Sequence, residues 1–393
     1  DYGRDLAGQG TRPGPFHLGD YVALRPGCAA EPSTLVTFDN TAVYSPVSYL
    51  PQSIGLAVAR RLGAPVPVLF YAGRLAALLG YLGLVSLALR IAPVGRSVIM
   101  AVALMPMSLV LGTQYSADGV TIAFSLLLVG AVVHCRWDPR ATWRSFLLAA
   151  AAAAALALCK STYFVLAPLL LLVPTRLFPS SWSAHAARIG SLVIIALLAA
   201  GWYLQVRGNH PTGVIGGQGI DPGQQLVFIQ HHWMWYGRFL LLTLFGPQTG
   251  YFTWPQFVSW VGFSRSPTAG LPSPPPLVMA AGVALLLVAY AREAPRAVVL
   301  SAGTIARAAL PVALVAVNTV LLVTVLYATL QRVGDSTLWL QGRYLLPLAA
   351  APVVSLLALG PPAERPRSVL PLAPLALLMF AYLVAKVPVY FYR

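Results

Sequence analysis

Three charged residues stand in apolar surroundings that give them no obvious local use: Asp118, Lys160 and Arg343. Arg343 lies in Gln341-Gly342-Arg343-Tyr344-Leu345-Leu346-Pro347, at the mouth of an apolar run that continues to about Gly360. A guanidinium in hydrocarbon is costly, so such a residue faces protein, water or an anion, or it snorkels to the headgroups as an anchor. Lys160 separates two strongly apolar stretches, 145–159 and 161–177. It reads either as a snorkelling turn residue or as a cation for a phosphate. Asp118 closes Gln114-Tyr115-Ser116-Ala117-Asp118 and opens a helix, where a carboxylate can cap free amides. Its alternative role is as a charged member of a pocket.

The neighbours of these three sharpen the chemistry. Gln341 and Tyr344 would add two hydrogen-bonding groups to the planar fork of Arg343, a set suited to phosphate or sugar. Tyr163 follows Lys160 by three residues, and Arg74 sits about two turns into the first long apolar run. Tyr44 and Tyr49 belong to Tyr44-Ser45-Pro46-Val47-Ser48-Tyr49-Leu50-Pro51, with Asp39 just upstream. Asp39 reads as a turn cap or as an acidic element of the same pocket. Glycosyl transfer from a lipid phosphate would need a carboxylate to activate an acceptor hydroxyl. It would also need cations to stabilise the departing phosphate. Asp39, Asp118 and Asp221 are the obvious oxygen ligands, too few to assign a metal site; the cofactor is unassigned, with a divalent cation as the open alternative.

The elements that must position these groups are membrane helices. The 393 residues are 58% hydrophobic and 9% charged, with a mean hydropathy of +0.73, which excludes an ordinary soluble domain. Apolar runs near the ~20 residues of a bilayer crossing recur along the chain. The expected fold is an all-α polytopic membrane protein with about ten spans. Crossings are expected over 66–89, 97–113, 120–135, 145–159, 161–177 and 189–206, then 274–290, 308–330, 344–359 and 369–390. The stretch 145–177 is too long for one crossing, so it is expected to fold back as a hairpin with Lys160 at its apex. Residues 1–65 read as a loop ending in a short amphipathic helix. Residues 66–393 read as the membrane domain, and 207–273 as an interfacial insertion rich in Trp and Tyr.

Charge sets the orientation. The loops at 90–96, 136–144, 176–188, 292–307 and 364–367 hold twelve arginines and three acids, and short basic loops stay in the cytoplasm. Asp39, Asp118, Lys160 and Arg343 then share the outer side. The formal charge of +15 thereby reports topology, and no nucleic-acid partner is implied. Other chemistry is excluded on pattern. The glycines of 213–219 lack the GK[ST] ending of a phosphate loop. His231 and His232 have no carboxylate at ligand spacing. Cys28, Cys135 and Cys159 form neither a disulfide framework nor a zinc pattern.

The order of the 44–51, 115–118 and 160–163 motifs, of residues 261–272 (VGFSRSPTAGLP) and of 341–347 resembles a bacterial multi-pass membrane family, domain of unknown function 2142. That family is grouped with the GT-C glycosyltransferases of cell-envelope assembly. The resemblance covers about residues 40–360 and implies a GT-C-like fold in the bacterial plasma membrane. It implies a polyprenyl-phosphate-linked sugar donor, a glycan or lipid acceptor, and transfer on the extracytoplasmic side. It also implies an exterior loop carrying an acidic catalytic residue. Asp39 and Asp118 are the acids carried over, with Arg74, Lys160, Tyr163, Gln341, Arg343, Tyr344, Tyr44 and Tyr49 as substrate-binding residues. A first span and the acidic motif directly after it are expected upstream of Asp1. Two other classes share the pocket: a carrier or flippase for envelope lipids, and a non-catalytic assembly subunit.

Overall fold

The computed structural model describes Thr41 and residues 43–206, 220–247, 250–258, 275–338, 340–361 and 368–391. Asp39, the glycine run 213–219 and the 261–272 motif lie outside the described residues, as does most of the 1–65 loop. Among the described residues there are helices and no strands. Five helices are long and apolar enough to cross a membrane: α2 (Val66–Ile91), α5 (Ala117–Trp137), α7 (Ser181–Val206), α11 (Pro276–Glu293) and α12 (Ala302–Leu330). The rest of the expected crossings correspond to shorter apolar pieces, among them Trp143–Cys159, Ser161–Leu172 and Gly342–Ala358. The all-α membrane class therefore stands on five helices.

Helix α5 is the axis. Its apolar window is 89% buried, against 17–28% for the other four. Two glycines make this possible. A Cβ on Gly119 would lie 2.5 Å from the Leu111 carbonyl oxygen, and one on Gly130 would lie 2.9 Å from that of Ala88. Backbones of neighbouring helices therefore approach α5 as closely as a membrane bundle allows. The broad exposed faces of α2, α7, α11 and α12 carry Leu, Val and Ile side chains, the surface a helix presents to lipid.

The irregular backbone lies inside. The expected span 97–113 is two helices, α3 (Arg96–Ala103) and α4 (Pro106–Gly112). Pro106 has no N–H and cannot continue the α3 ladder. The expected span 344–359 is likewise a 3-10 helix, Gly342–Leu348, followed by α13 (Pro352–Ala358). Most residues of these pieces are buried. This obeys the rule that broken helix is tolerated at membrane depth only where protein covers it.

The hairpin is present as expected. Helix α6 (Trp143–Cys159) stops at Lys160, whose extended backbone (φ −147°, ψ 113°) ends it. The return limb is a 3-10 helix, Ser161–Leu172, with Pro168 inside. Seventeen α-helical residues and twelve 3-10 residues reach nearly equal lengths, about 25 and 24 Å. The limb ends beside the start of its partner, where the Phe178 ring lies 5.1 Å from that of Phe146, and beside the end of α5, where Arg136 Nη1 donates to Leu172 O (3.2 Å) and Arg176 Nη2 donates to Asp138 O (3.2 Å). Before the first span, a 3-10 turn (Pro46–Tyr49) packs against α5 and α6, and helix α1 (Leu50–Arg61) packs along α2. The aromatic insertion forms three short helices: α8 (Pro222–His231), α9 (Trp233–Phe245) and α10 (Gly250–Val258). Helix α14 (Ala373–Phe391) closes the described fold.

Candidate functional site

The N-terminus of α5 and the C-terminus of α6 meet at one end of the bundle. Ser116 is the N-cap of α5, its Oγ accepting from Asp118 N at 3.1 Å. The capping role considered for Asp118 is therefore carried by Ser116, and the Asp118 carboxylate is directed elsewhere. Lys160 Nζ donates to Asp118 Oδ1, and Arg343 Nη1 lies 3.3 Å from Asp118 Oδ2. One carboxylate thus bridges two cations drawn from distant parts of the chain. The Lys160 and Asp118 side chains are only 7% and 9% exposed, whereas Arg343 is 22% exposed.

Tyrosines enclose the charges. Lys160 Nζ sits 4.9 Å from the centre of the Tyr44 ring and 4.7 Å from that of Tyr344. Both rings offer the negative face of their π-system. Arg343 stacks over Tyr344 at 5.2 Å. Tyr163 is buried, and its hydroxyl donates to Tyr344 O at 2.8 Å, fixing the backbone that carries both Arg343 and Tyr344. Burial opposes the charge on Lys160, but Asp118 and the surrounding tyrosine oxygens outweigh it and hold the pKa above the ordinary lysine value. Tyr49 lies at the margin, its phenol pushed up by burial to about 12, with Tyr44, Lys160 and Asp118 acting on it in turn.

Several residues with no charge hold the cluster together. Ser48 Oγ donates to Cys159 O (3.0 Å), a carbonyl left open at the end of α6. Gln52 Nε2 reaches the carbonyls of Gln114 and Ser116 at 3.4 Å each. The 46–61 segment therefore lies across the ends of α5 and α6 and brings Tyr44 over Lys160. On the far side, Asn318 Nδ2 donates to Thr162 O from within α12. Helix α10 positions the arginine: Gly342 N donates to Gln256 Oε1 (3.0 Å), and Thr253 Oγ1 donates to Leu340 O (2.7 Å). Glycine is required there, since a Cβ on Gly342 would stand 2.2 Å from Thr253 O.

Sequence reasoning missed Ser48, Gln52, Thr253, Gln256 and Asn318. Asn318 alone carried a visible signal, as the single amide within the apolar α12, where it is fully buried. Two further buried groups face no donor among the described residues: the amide oxygens of Gln52 and Gln341. Arg74 stands apart from the ion pairs. Its Nε donates to Thr113 O (2.9 Å), and its guanidinium lies 5.6 Å from the Phe70 ring centre. Among the described residues no group of three or more His, Cys, Asp or Glu could hold a metal ion.

Chemically, the cluster is a low-dielectric seat with two cations and one carboxylate. An anion could engage the Arg343 fork, and hydroxyls could satisfy the two glutamine oxygens. Asp118 has each oxygen turned to a cation, a geometry that anchors both side chains. No curated protein and no solved structure matches the chain. The family model described as predicted membrane protein (DUF2142) matches residues 19–351, which includes every residue of the cluster. The chain belongs to this family.

Proposed function

We propose that this protein is a membrane glycosyltransferase-like enzyme of bacterial cell-envelope assembly, which binds a polyprenyl-phosphate-linked sugar at the Asp118–Lys160–Arg343 cluster. The observation that carries the reading is the buried carboxylate bridging two cations where helix capping does not require it. A cation pair in a dry, tyrosine-walled site suits a lipid phosphate, whose charge develops as the sugar departs. The amide oxygens of Gln52 and Gln341 suit sugar hydroxyls, because buried acceptors are normally satisfied. The resemblance to GT-C enzymes points the same way.

In this reading the acceptor hydroxyl oxygen bonds to the anomeric carbon while the bond from that carbon to the phosphate oxygen breaks. The phosphate keeps that electron pair and leaves as lipid phosphate beside Arg343, and the hydroxyl proton passes to a carboxylate. Asp39 and Asp118 are this chain's candidates for that carboxylate. The cluster faces the exterior of the plasma membrane, and the shorter apolar segments complete about ten crossings.

Incubation of the purified protein with a radiolabelled polyprenyl-phosphate sugar and envelope glycan tests this. Release of polyprenyl phosphate with transfer of label is expected, and Arg343→Ala should abolish it. Binding of the lipid without turnover on any acceptor would replace the enzyme by a lipid carrier. Orientation is tested separately. In intact cells an impermeant thiol reagent should label Asp335→Cys and spare Arg140→Cys, and the reverse would put the cluster on the cytoplasmic side.

A further inference from the structure

Helix α1 is inside out for a helix in water. Leu50, Ile54, Val58 and Leu62 follow one another at four-residue spacing along one face and are 49–79% exposed, while Gln52 on the opposite face is 2% exposed. A solvated surface helix has the reverse arrangement. The packing of α1 accounts for this. A Cβ on Gly55 would lie 2.6 Å from the Ala72 carbonyl oxygen and from Ala76 Cβ, and one on Gly80 would lie 2.8 Å from Pro51 Cγ. Helix α1 therefore runs antiparallel to α2. Its deep end reaches Gly80, fourteen residues past Val66, or about 21 Å along a helix of about 39 Å. At the other end the chain turns back through Gly63 (φ 67°), with Arg60 and Arg61 in the last helical turn, where basic side chains can snorkel to headgroups. The polar groups of the limb are turned inward, Ser48 Oγ to Cys159 O and Gln52 Nε2 to Gln114 O and Ser116 O, as polar groups at membrane depth must be. Helix α12 gives the same depth independently. Asn318 Nδ2 donates to the carbonyl of Thr162, two residues past Lys160. Asn318 stands eleven residues from Arg307 and twelve from Leu330, within a stretch, 308–330, that holds no charged residue.

We infer that residues 46–61 are a re-entrant membrane limb, and that its Leu50–Ile54–Val58 face is an interaction surface for the acyl chains of the lipid layer on the cluster's side. The occupant follows from shared height. Leu75 and Leu79 of the crossing helix α2 stand level with the Gly55 and Pro51 contacts, and both are exposed like the α1 face. A surface-lying amphipathic helix would hold all its apolar residues at one shallow depth, whereas a re-entrant limb places Leu50 deepest and Arg61 at the headgroups. The Asp118–Lys160 pair, tied to the deep end of α1 through Ser48 and Gln52, then lies within the hydrocarbon thickness and below the membrane surface. This holds whichever side of the membrane the cluster faces and whatever ligand it takes.

Depth along α1 is read in the full chain reconstituted into vesicles of palmitoyl-oleoyl phosphatidylglycerol. In a Cys28→Ser background a nitroxide is attached at Leu50→Cys, Ile54→Cys, Val58→Cys or Arg61→Cys. Leu79→Cys serves as the lipid reference and Asp335→Cys as the water reference. The readout is the ratio of collisions with oxygen, which concentrates in hydrocarbon, to collisions with a water-soluble nickel chelate. At Leu50 and Ile54 the ratio should match that at Leu79 and exceed that at Asp335 at least about tenfold, the factor given by ~1.4 kcal/mol of partitioning. It should fall through Val58 to the water value at Arg61. Leu50 and Ile54 lie one turn apart on the same exposed face, so either label reads the deep end if the other variant does not reconstitute. A water-like ratio at every α1 position would put the limb in solvent and overturn the inference. One uniform intermediate ratio would lay the helix flat on the membrane surface and overturn it equally. Few collisions with either reagent at Leu50 and Ile54 would mean that protein, from this chain or another, covers the face in place of lipid.

Discussion

The two ends of α5 use charged residues in opposite ways. Asp118 and Arg136 stand eighteen residues apart on this helix, about 27 Å at ~1.5 Å per residue. Around Arg136 the charges serve the backbone. Arg136 donates to Leu172 O, Arg176 to the carbonyls of Cys135, Arg136 and Asp138, and Arg188 to Val173 O. Glu293 accepts from Gly95 N (2.8 Å) and Ser97 N (2.9 Å), closing the start of α3 from nearly two hundred residues away. Even the chain of contacts Ser145–His134–Asp138, whose order would suit a nucleophile, holds a turn. Ser145 Oγ accepts from Thr142 N, and Asp138 Oδ1 accepts from Arg140 N. Around Asp118, by contrast, side chains answer side chains, and the capping is done by Ser116. Charge at one end completes helices; charge at the other forms a site.

The contrast breaks most visibly at Lys160. Lys160→Met removes the enclosed partner of Asp118 and should destabilise the protein by ~3 kcal/mol in reversible denaturation from mixed micelles, the lower end for a broken buried pair because Asp118 keeps Arg343. Adding Asp118→Asn should recover part of that loss, because the buried carboxylate charge is gone. A single variant as stable as wild type would mean that the pair is wet and the cluster is no enclosed site.

At the opposite end, Glu293→Ala should cost about 2 kcal/mol, since two amides at a helix start lose their acceptor. Glu293→Gln keeps one carbonyl oxygen and should lose roughly half as much. Neither change should alter binding of a polyprenyl-phosphate sugar. If Glu293→Ala weakened that binding, the division of labour between the ends would fail.

Arg343→Lys sharpens the comparison on the side of the site. It retains the charge but loses the planar fork, so a polyprenyl-phosphate sugar should bind about tenfold more weakly, a change of ~1.4 kcal/mol. Denaturation should move little. An unchanged affinity would make Arg343 a membrane anchor.

Much of this arrangement is legible in the order of the residues. Long apolar runs dictate the helices, and the excess length of 145–177 dictates the hairpin with Lys160 at its turn. The convergence of Asp118, Lys160 and Arg343 follows from placing them on one side by charge. What stays hidden depends on distance in space. Hydropathy cannot tell a regular span from 97–113, which Pro106 breaks into α3 and α4, because both are equally apolar. Arg74 shares the side of the cluster, yet the direction of its side chain is set by Thr113, and no one-dimensional pattern reports that. Gln256 and Thr253 act through the backbone of 340–342 from an aromatic stretch whose pattern suggests only an interface.

The smallest expected effect separates capping from chemistry within one turn of one helix. Ser116 and Asp118 are two residues apart, and either could cap α5 by type. The geometry gives the cap to Ser116, whose Oγ accepts from Asp118 N at 3.1 Å, and the ion pairs to Asp118. Ser116→Ala should therefore cost about 1 kcal/mol of stability, the usual loss when such a cap is removed. Ser116→Asn restores a capping oxygen and should recover most of it. Neither change should touch binding of a polyprenyl-phosphate sugar, since the carboxylate and its two cations remain. Asp118→Asn should behave in the opposite sense, leaving the cap in place and changing that affinity. Should Ser116→Ala shift the affinity as strongly as Asp118→Asn does, the start of α5 would be a single cooperative unit, and capping and ion pairing would no longer be separable roles.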